Sequence, residues 1–221
     1  MTPLADVSAA KRSSLLRRRA DFPVEAFRAH WAGPHADIAR GVVGIARYTQ
    51  NRVDATLWTA SGGGFACDGI VELEFRDAQV MAEAGHSEAV QRLFPEDEPR
   101  FLDAITLCRV PAGARQTWPG MVKAMLAVRL GDAAAAAGDA LRELLLATGG
   151  VECSVDPVLG SFHRQQLGHE AEPPHAFATL WFEAAHDLAG VFGPGSGWAR
   201  AARSCIVRGS VWRCDALPIV G

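Results

Sequence analysis

The two halves of this chain show the same order of predicted secondary-structure elements, and this repetition limits the possible folds more than any other feature. Period-2 alternation predicts strands, and helical periodicity with suitable end signals predicts helices. The first half gives strand, helix, strand, strand, helix and strand at 8–18, 23–33, 43–52, 67–76, 77–93 and 104–112. The second half gives the same order at 120–130, 133–147, 151–164, 175–183, 185–192 and 204–213. The sequence therefore predicts an internal duplication.

Individual residues support this duplication. Lysine and arginine occur six residues apart in the first predicted strand of each half, as Lys11 with Arg17 and Lys123 with Arg129. Two further segments are matched between the halves: Leu73-Glu74-Phe75 with Leu180-Trp181-Phe182, and Arg47-Tyr48-Thr49-Gln50 with Ser161-Phe162-His163-Arg164. The predicted domains are residues 1–112 and 120–221, joined by a linker at 113–119 that is rich in turn-forming residues.

A β-α-β-β-α-β unit has the ferredoxin-like order, in which four antiparallel strands carry both helices on one face. The other face of such a sheet stays apolar and has to be covered. The expected α+β fold is therefore two ferredoxin-like units packed sheet to sheet as a barrel within one chain. Alternation in the fifth strand agrees, because Ala124, Leu126, Val128 and Leu130 form one face, and Lys123, Met125, Ala127 and Arg129 form the other.

Composition excludes several classes of partner. The chain has 221 residues and a formal net charge of −3, and its basic residues are dispersed, so nucleic acid is not an expected partner. No apolar window is long enough for a membrane span, and the first residues do not resemble a secretory signal, so we expect a cytoplasmic protein. The five cysteines are an odd number without a C-x-x-C pair, which predicts reduced structural thiols and no metal site.

Several segments of the first half together resemble a known family. They are Lys11, Phe27-Arg28-Ala29-His30-Trp31-Ala32-Gly33-Pro34-His35-Ala36, Tyr48, Asp68-Gly69-Ile70-Val71-Glu72-Leu73 and Phe101-Leu102-Asp103. This series resembles the EthD family of the dimeric α+β barrel superfamily over residues 8–112. The F-x-x-H-W-x-x-x-H stretch is the most specific part of the resemblance, and the second half has no equivalent of it.

The resemblance implies a function only in outline. Relatives in the superfamily include cofactor-free oxygenases, ring isomerases, polyketide cyclases, aromatic decarboxylases and haem-handling proteins. We therefore expect a cofactor-independent enzyme of aromatic compound catabolism acting on a hydrophobic aromatic or polyketide-like small molecule, favoured as a decarboxylase, another lyase or an isomerase. The alternatives are a haem-linked or oxygen-using monooxygenase and a non-catalytic ligand-binding accessory protein of a degradative pathway. The expected assembly is a monomer with an internal pseudo-dimer, or a homodimer of it.

The most specific stretch also supplies the first candidate site residues. His30 and His35 lie at the predicted end of the first helix, beside Gly33-Pro34, where an imidazole could act as a general acid or base. The alternative is that these histidines only cap the helix. Trp31 and Phe27 are expected to enclose the apolar body of the substrate.

Two further candidates could complete the acid-base chemistry. Tyr48 is the only tyrosine in the chain and could bind a carbonyl or phenolate oxygen from the second strand, or it could be an ordinary half-buried aromatic residue. His86 could lean over the same pocket, although an exposed loop position is the favoured interpretation.

The two lysines of the chain, Lys11 and Lys123, occupy the same place in their units. Lys11 with Glu72 could line the barrel or pocket and bind a substrate carboxylate. The favoured interpretation is a structural ion pair of the lysines with Glu72 or Glu74, because an unpaired buried charge is costly. His163, His169 and His175 are spaced by six, which does not fit a metal site on a strand or a helix.

Overall fold

The computed structural model describes residues 10–112, 118–131 and 134–221. Its nine strands are β1 (Ala10–Arg18), β2 (Ile45–Thr59), β3 (Gly69–Phe75), β4 (Leu102–Pro111), β5 (Val122–Leu130), β6 (Glu152–Pro157), β7 (Gly160–Phe162), β8 (Ala176–Phe182) and β9 (Ile206–Val220). Its α-helices are α1 (Val24–His30), α2 (Ala36–Arg40), α3 (Ala78–Ala84), α4 (Phe94–Phe101), α5 (Ala134–Leu146), α6 (Leu188–Phe192) and α7 (Gly197–Ala202). Two π-helical turns, Trp31–His35 and Ala89–Leu93, join α1 to α2 and lead into α4. The predicted α+β class is confirmed.

Strand pairing shows the predicted duplication directly. The first half contributes β4-β1-β3-β2 and the second contributes β9-β5-β8-β6, which is the same antiparallel order when each half is numbered by itself. The two halves join where β2 pairs with β9. Lys11 is opposite Glu74 and Lys123 is opposite Trp181, so the two lysines are equivalent positions, as the sequence predicts.

One of the residue matches between the halves is wrong. Tyr48 lies opposite Leu73 in the β2–β3 pair, and the equivalent position opposite Leu180 is Cys153 in β6. Phe162 instead lies in β7, opposite Leu107 of β4. The error arises because the strand predicted at 151–164 bends to a new partner halfway along, and sequence similarity alone does not reveal this change of partner.

This change of partner closes the sheet into a barrel. The amide of Val158 donates to the carbonyl of His175 on one side, at 2.8 Å. The next amide, that of Leu159, donates to the carbonyl of Arg109 in β4 on the other side, also at 2.8 Å. Consecutive residues of one segment thus hydrogen-bond to both halves, so β6 and β7 complete the ring that begins with β4.

Burial follows the alternation of the strands. Ala124, Leu126, Val128 and Leu130 of β5 pack in the helix-covered layer of the second half, as predicted. Met125 and Ala127 point the other way, into the barrel. A third apolar layer lies between the first sheet and helices α1 to α4, and it includes Phe27, Trp31 and Phe101. Any site between sheet and helices therefore lies on the outside of the barrel.

Both predicted helices of the first half differ from the structure. The first continues past Gly33 and Pro34 to Arg40, because a π-helical turn with wider hydrogen-bond spacing accommodates the proline. The helix predicted at 77–93 breaks after Ala84, and α4 follows at 94–101. The linker predicted at 113–119 falls largely on 113–117, which lie outside the described residues, so the domain bounds remain a prediction. Within the described ranges, the helices are too short or too polar to cross a membrane.

Candidate functional site

A small cavity of about 60 Å³ lies between the outer face of the first sheet and its helices. Its walls are mainly apolar, from β2, β3 and β4 and the helices that cover them. Six polar side chains also line it: Arg12, Ser14, His35, Tyr48, Glu98 and Arg164. An apolar cavity with a few polar groups is the usual form of a small-molecule site, although this one is smaller than the ~300–1,000 Å³ typical of such sites.

The π-helical turn places His30 and His35 against one carboxylate. Five residues along a regular α-helix would separate two side chains by roughly 140° around the axis, whereas the wider π turn brings them towards one side. Nε2 of His30 lies 2.9 Å from Oδ1 of Asp97, and Nδ1 of His35 lies 2.9 Å from Oδ2. Both histidines therefore bind α4 instead of only capping their own helix.

The protonation pattern follows from this geometry. Burial by itself would raise the pKa of Asp97, but the hydrogen bonds from His35 and His30 more than offset it and hold that pKa below its ordinary value. An ionised carboxylate only accepts hydrogen bonds, so Nδ1 of His35 carries the hydrogen. In the neutral ring Nε2 then has a free lone pair, and within the described part of the chain that atom has no hydrogen-bond partner. His35 also lines the cavity, where an imidazole with a free lone pair could accept a proton from a ligand.

Tyr48 lines the same cavity as a neutral phenol. Its side chain is almost fully buried, and this burial raises its pKa, although the hydrogen bond from Gln50 partly offsets the rise. Nε2 of Gln50 donates to the Tyr48 hydroxyl at 2.8 Å and to the carbonyl of Trp31 at 2.7 Å. Because its oxygen already accepts this bond, the hydroxyl can direct its own proton towards a ligand.

Trp31 and Phe27 do not occupy the place that the sequence predicts. Both are fully buried, their ring centroids are 5.4 Å apart, and neither is among the described residues that line the cavity. Phe27 also packs on Phe101, whose ring contacts His30 and His35 at centroid distances of 4.7 and 5.1 Å. Phe101 thus packs directly on both histidines, and Phe27 and Trp31 pack in the core next to Phe101 and do not enclose the cavity.

The remaining predicted residues lie elsewhere. His86 is exposed in the turn after α3 and does not line the cavity, which agrees with the loop interpretation. Lys11 and Glu72 point into the barrel, on the opposite face of the sheet from His35, where Nζ of Lys11 lies 2.7 Å from Oε1 of Glu72. The favoured ion pair is therefore present, and these two residues do not share the cavity.

The histidines of the second half do not form a metal site. The rings of His163 and His169 stack with centroids 4.2 Å apart, and Nδ1 of His175 accepts a hydrogen bond from the amide of Leu130. Among the residues that the structure describes, no group of three or more His, Cys, Asp or Glu side chains is arranged to hold a metal ion.

Five polar residues of the site are not predicted from the sequence: Arg12, Ser14, Asp97, Glu98 and Arg164. Asp97 and Glu98 lie in Phe94-Pro95-Glu96-Asp97-Glu98-Pro99, where two prolines and three acids hide the helical pattern. Arg164 comes from the second half, and Nε and Nη2 of its guanidinium donate to the two carboxylate oxygens of Glu98 at 3.0 and 3.3 Å. Arg164 of the second half therefore lines the cavity of the first half.

Comparison with known proteins supports the fold and the family resemblance. Residues 19–105 match the EthD domain, which confirms the resemblance that the His-Trp-His stretch suggests. No curated protein matches the sequence.

Among solved structures, an anthrone oxidase-like protein has a TM-score of 0.66 at 10% identity, over 97% of this chain and 94% of that one. A monooxygenase candidate from Fusobacterium nucleatum subsp. nucleatum has a TM-score of 0.55 at 7% identity, over 96% and 94%. One from Lactobacillus acidophilus has a TM-score of 0.50 at 10% identity, over 95% and 94%. At these identities the likeness shows the fold, which is the dimeric α+β barrel.

Proposed function

We propose that the cavity beside His35 is the active site of a cofactor-independent enzyme that removes a proton from an aromatic, polyketide-like small molecule. The observation that carries this proposal is the Asp97–His35 pair, because the carboxylate fixes the imidazole with Nδ1–H towards Asp97 and leaves Nε2 without a hydrogen-bond partner among the described residues, and because His35 lines the cavity. Such an arrangement is the usual way to orient an imidazole base, and a positioned base is worth roughly 10²–10⁴-fold in rate.

The favoured reaction is oxidation of an activated methylene by dioxygen. His35 takes a proton from the methylene carbon, and the hydroxyl of Tyr48 donates to the enolate oxygen that develops. The carbanion forms a bond with dioxygen, the resulting peroxide anion takes a proton back from protonated His35, and loss of water from this hydroperoxide leaves a ketone. One methylene compound and one dioxygen thus give one ketone and one water. The names of two structural neighbours, an anthrone oxidase-like protein and a monooxygenase candidate, support this choice.

Decarboxylation is the second candidate, and the same residues can serve it. His35 in its protonated form could deliver a proton to the ring carbon that loses carbon dioxide. The guanidinium group of Arg12 on the cavity wall favours this candidate because it suits a substrate that carries a carboxylate.

The cavity beside His35 is too small for a haem. A haem macrocycle needs a site of several hundred cubic ångströms, on the scale of the ~300–1,000 Å³ of large ligand pockets, and the cavity beside His35 measures about 60 Å³. Absorbance of the purified protein in the Soret region provides a direct check, and a strong band there would contradict the proposal.

The test measures both reactions with the same preparations. Anthrone and a carboxylic-acid derivative of anthrone are incubated with the protein, while an oxygen electrode follows dioxygen and a gas assay follows carbon dioxide. The proposal predicts dioxygen uptake with one equivalent of quinone product, faster than the uncatalysed background. Release of carbon dioxide without dioxygen uptake would favour the decarboxylase. If neither gas changes above the level given by His35→Gln, the proposed catalytic role is wrong.

A further inference from the structure

Arg12 is a partly buried cation that has no role in the favoured oxidation. It lies on the outer face of β1, and its guanidinium carbon is 5.5 Å from the ring centroid of Phe75 and 5.0 Å from that of Phe162. Its Nε is buried and makes no hydrogen bond, and among the described residues Arg12 forms no ion pair with a carboxylate. Aromatic rings thus hold this guanidinium on the cavity wall while its hydrogen-bond donors are incompletely used.

The electrostatics of this position favour an anion. Burial, followed by repulsion from Arg164, lowers the pKa of Arg12 from its ordinary value. An arginine stays charged in proteins even so, and a desolvated charge without a partner is costly. A negatively charged group in the cavity would compensate the desolvation of Arg12 and its repulsion from Arg164.

The neighbouring cation is already neutralised. Arg164 forms a two-pronged ion pair with Glu98, whose side chain is only 4% exposed. Arg12, Arg164 and Glu98 line the same cavity, so the three together leave one positive charge on its wall. The planar guanidinium fork can donate two parallel hydrogen bonds to the two oxygens of a carboxylate, whose single charge balances the one positive charge left on the wall.

The Arg164–Glu98 pair also separates the cavity from a larger outer cleft of about 490 Å³. Val90, Glu98 and Arg164 line both spaces, and the cleft is otherwise formed by residues of 163–167 and of the helix around Pro95 and Pro99. Rotation of the Arg164 side chain would join the two spaces into one site within the ~300–1,000 Å³ of typical ligand pockets. A fused-ring molecule then has room that the inner cavity alone does not provide.

We propose that Arg12 binds the carboxylate of an aromatic acid, and that this acid reaches the inner cavity from the outer cleft past the Arg164–Glu98 pair. This inference rests on the proposed function for the identity of the site, and it narrows the substrate class to fused-ring aromatic or polyketide-derived carboxylic acids. The carboxylate occupies the position beside Arg12, and the ring system extends towards His35.

Binding of two matched probes tests the inference without any turnover. The full chain is titrated with 2-naphthoate and with 2-naphthamide, which has nearly the same shape and no charge, and tryptophan fluorescence or calorimetry reports the affinity. We expect the acid to bind at least about tenfold more tightly than the amide, as the loss of a charge-assisted pair predicts. Arg12→Gln should remove this preference and leave the affinity for the amide unchanged.

A surface arginine of the same strand provides the control. Arg17 pairs with Asp103, and both side chains are about half exposed, so Arg17→Gln should keep the preference for the acid. Thermal unfolding of Arg12→Gln without ligand should show no loss of stability, because the substitution removes an uncompensated charge. Equal affinity for acid and amide, no binding of either at millimolar concentration, or an Arg12→Gln protein that still prefers the acid would each overturn the inference.

Failure of the carboxylate site can be distinguished from failure of the proposed catalytic role of His35. His35→Gln should keep the preference for 2-naphthoate over 2-naphthamide, since His35 is not part of the carboxylate contact. If the acid preference is present and depends on Arg12 but neither dioxygen nor carbon dioxide changes, the binding site stands and the catalytic proposal fails. If turnover depends on His35 but the acid preference is absent, the catalytic proposal stands and the carboxylate site is wrong.

Discussion

Lys11 of the first unit and Lys123 of the second bind opposite oxygens of one carboxylate inside the barrel. Nζ of Lys11 is 2.7 Å from Oε1 of Glu72, and Nζ of Lys123 is 2.6 Å from Oε2. Lys11 also reaches Asp156 at 3.2 Å, and Lys123 reaches Oδ1 of Asn51 at 2.8 Å. The two lysines are equivalent by strand register, whereas the position equivalent to Glu72 is Thr179. A single glutamate of the first half thus forms ion pairs with the equivalent lysines of both halves.

Glu72→Gln should lower the free energy of unfolding by about 3–5 kcal/mol, because it leaves two buried ammonium groups short of their shared counter-charge. The side chains of Lys11, Lys123 and Glu72 are between 0% and 8% exposed, so solvent screens the loss poorly. Urea unfolding followed by tryptophan fluorescence measures the change.

Glu74→Gln is the matched control on the same strand. Glu74 pairs with Arg47 at 3.4 Å, and the arginine side chain is 41% exposed, so the loss should stay within about 1 kcal/mol. Equal effects of the two substitutions would show that the buried network contributes no more than a surface pair.

His35→Gln should reduce turnover by roughly 10²–10⁴-fold, since it removes the base while an amide can still donate to Asp97. Glutamine is preferable to alanine because His35 is buried against Phe94 and Phe101. Initial rates of dioxygen uptake measure the effect.

His30→Gln serves as its control. His30 binds the other oxygen of the same carboxylate but is not among the described residues that line the cavity. Its replacement should leave turnover within a few-fold of the unmodified protein. A larger loss in His30→Gln than in His35→Gln would contradict the assignment of the base.

Gly69→Ala should destabilise the protein by about 1–3 kcal/mol. A methyl group at Gly69 would come within 2.4 Å of the Trp31 ring, which is fully buried and cannot move away without shifting the π-helical turn. Thermal unfolding measures this effect. Gly160→Ala is the control, because nothing lies within 4 Å of an added methyl there, and its melting temperature should change little.

Stability should fall as the pH rises above about 8.5, where thiols ionise in the unfolded chain. Burial raises the pKa of all five cysteines in the folded protein, to about 12 for Cys108 and Cys214. The contribution of the neutral thiols to the free energy of unfolding is therefore fully present below the pKa that thiols have in the unfolded chain. It is lost as the pH rises towards the higher pKa that they have in the folded protein. Urea midpoints at about pH 7.5 and about pH 10 measure the loss.

The double variant Cys108→Ala and Cys214→Ala should show a flatter dependence on alkaline pH. Native protein should also react slowly with a thiol reagent at neutral pH, whereas the unfolded chain should expose five reactive groups. Rapid labelling of the native protein would contradict the pKa shifts.

The order and faces of most strands can be predicted from the sequence because these strands carry clear period-2 alternation. In β5 the side chains that face the helices and those that face the barrel were both predicted correctly, and the equivalence of Lys11 with Lys123 agrees with the strand register. Alternation is a local property of a strand, so it survives even where the two copies have diverged.

The site was predicted only in part, since its residues come from segments with weak local signals. His35 and Tyr48 were identified, but Asp97 lies in a proline-rich helix whose polar sequence hides its periodicity. Arg164 reaches the cavity only because the closing strand changes partner, which depends on contacts between residues far apart in the chain. Trp31 and Phe27 were predicted at the cavity from their proximity to His30 in sequence, whereas packing turns them inward.

Because the chain changes hydrogen-bonding partner between Val158 and Leu159, each half of the barrel covers strand edges of the other half. Residues 10–112 produced alone would expose the outer borders of β2 and β4, which β9 and β7 cover in the intact ring. Exposed edge strands pair with strands of other chains through their free N–H and C=O groups, so an isolated half should self-associate. Each half of the ring thus covers strand edges of the other half that would otherwise be open to pairing.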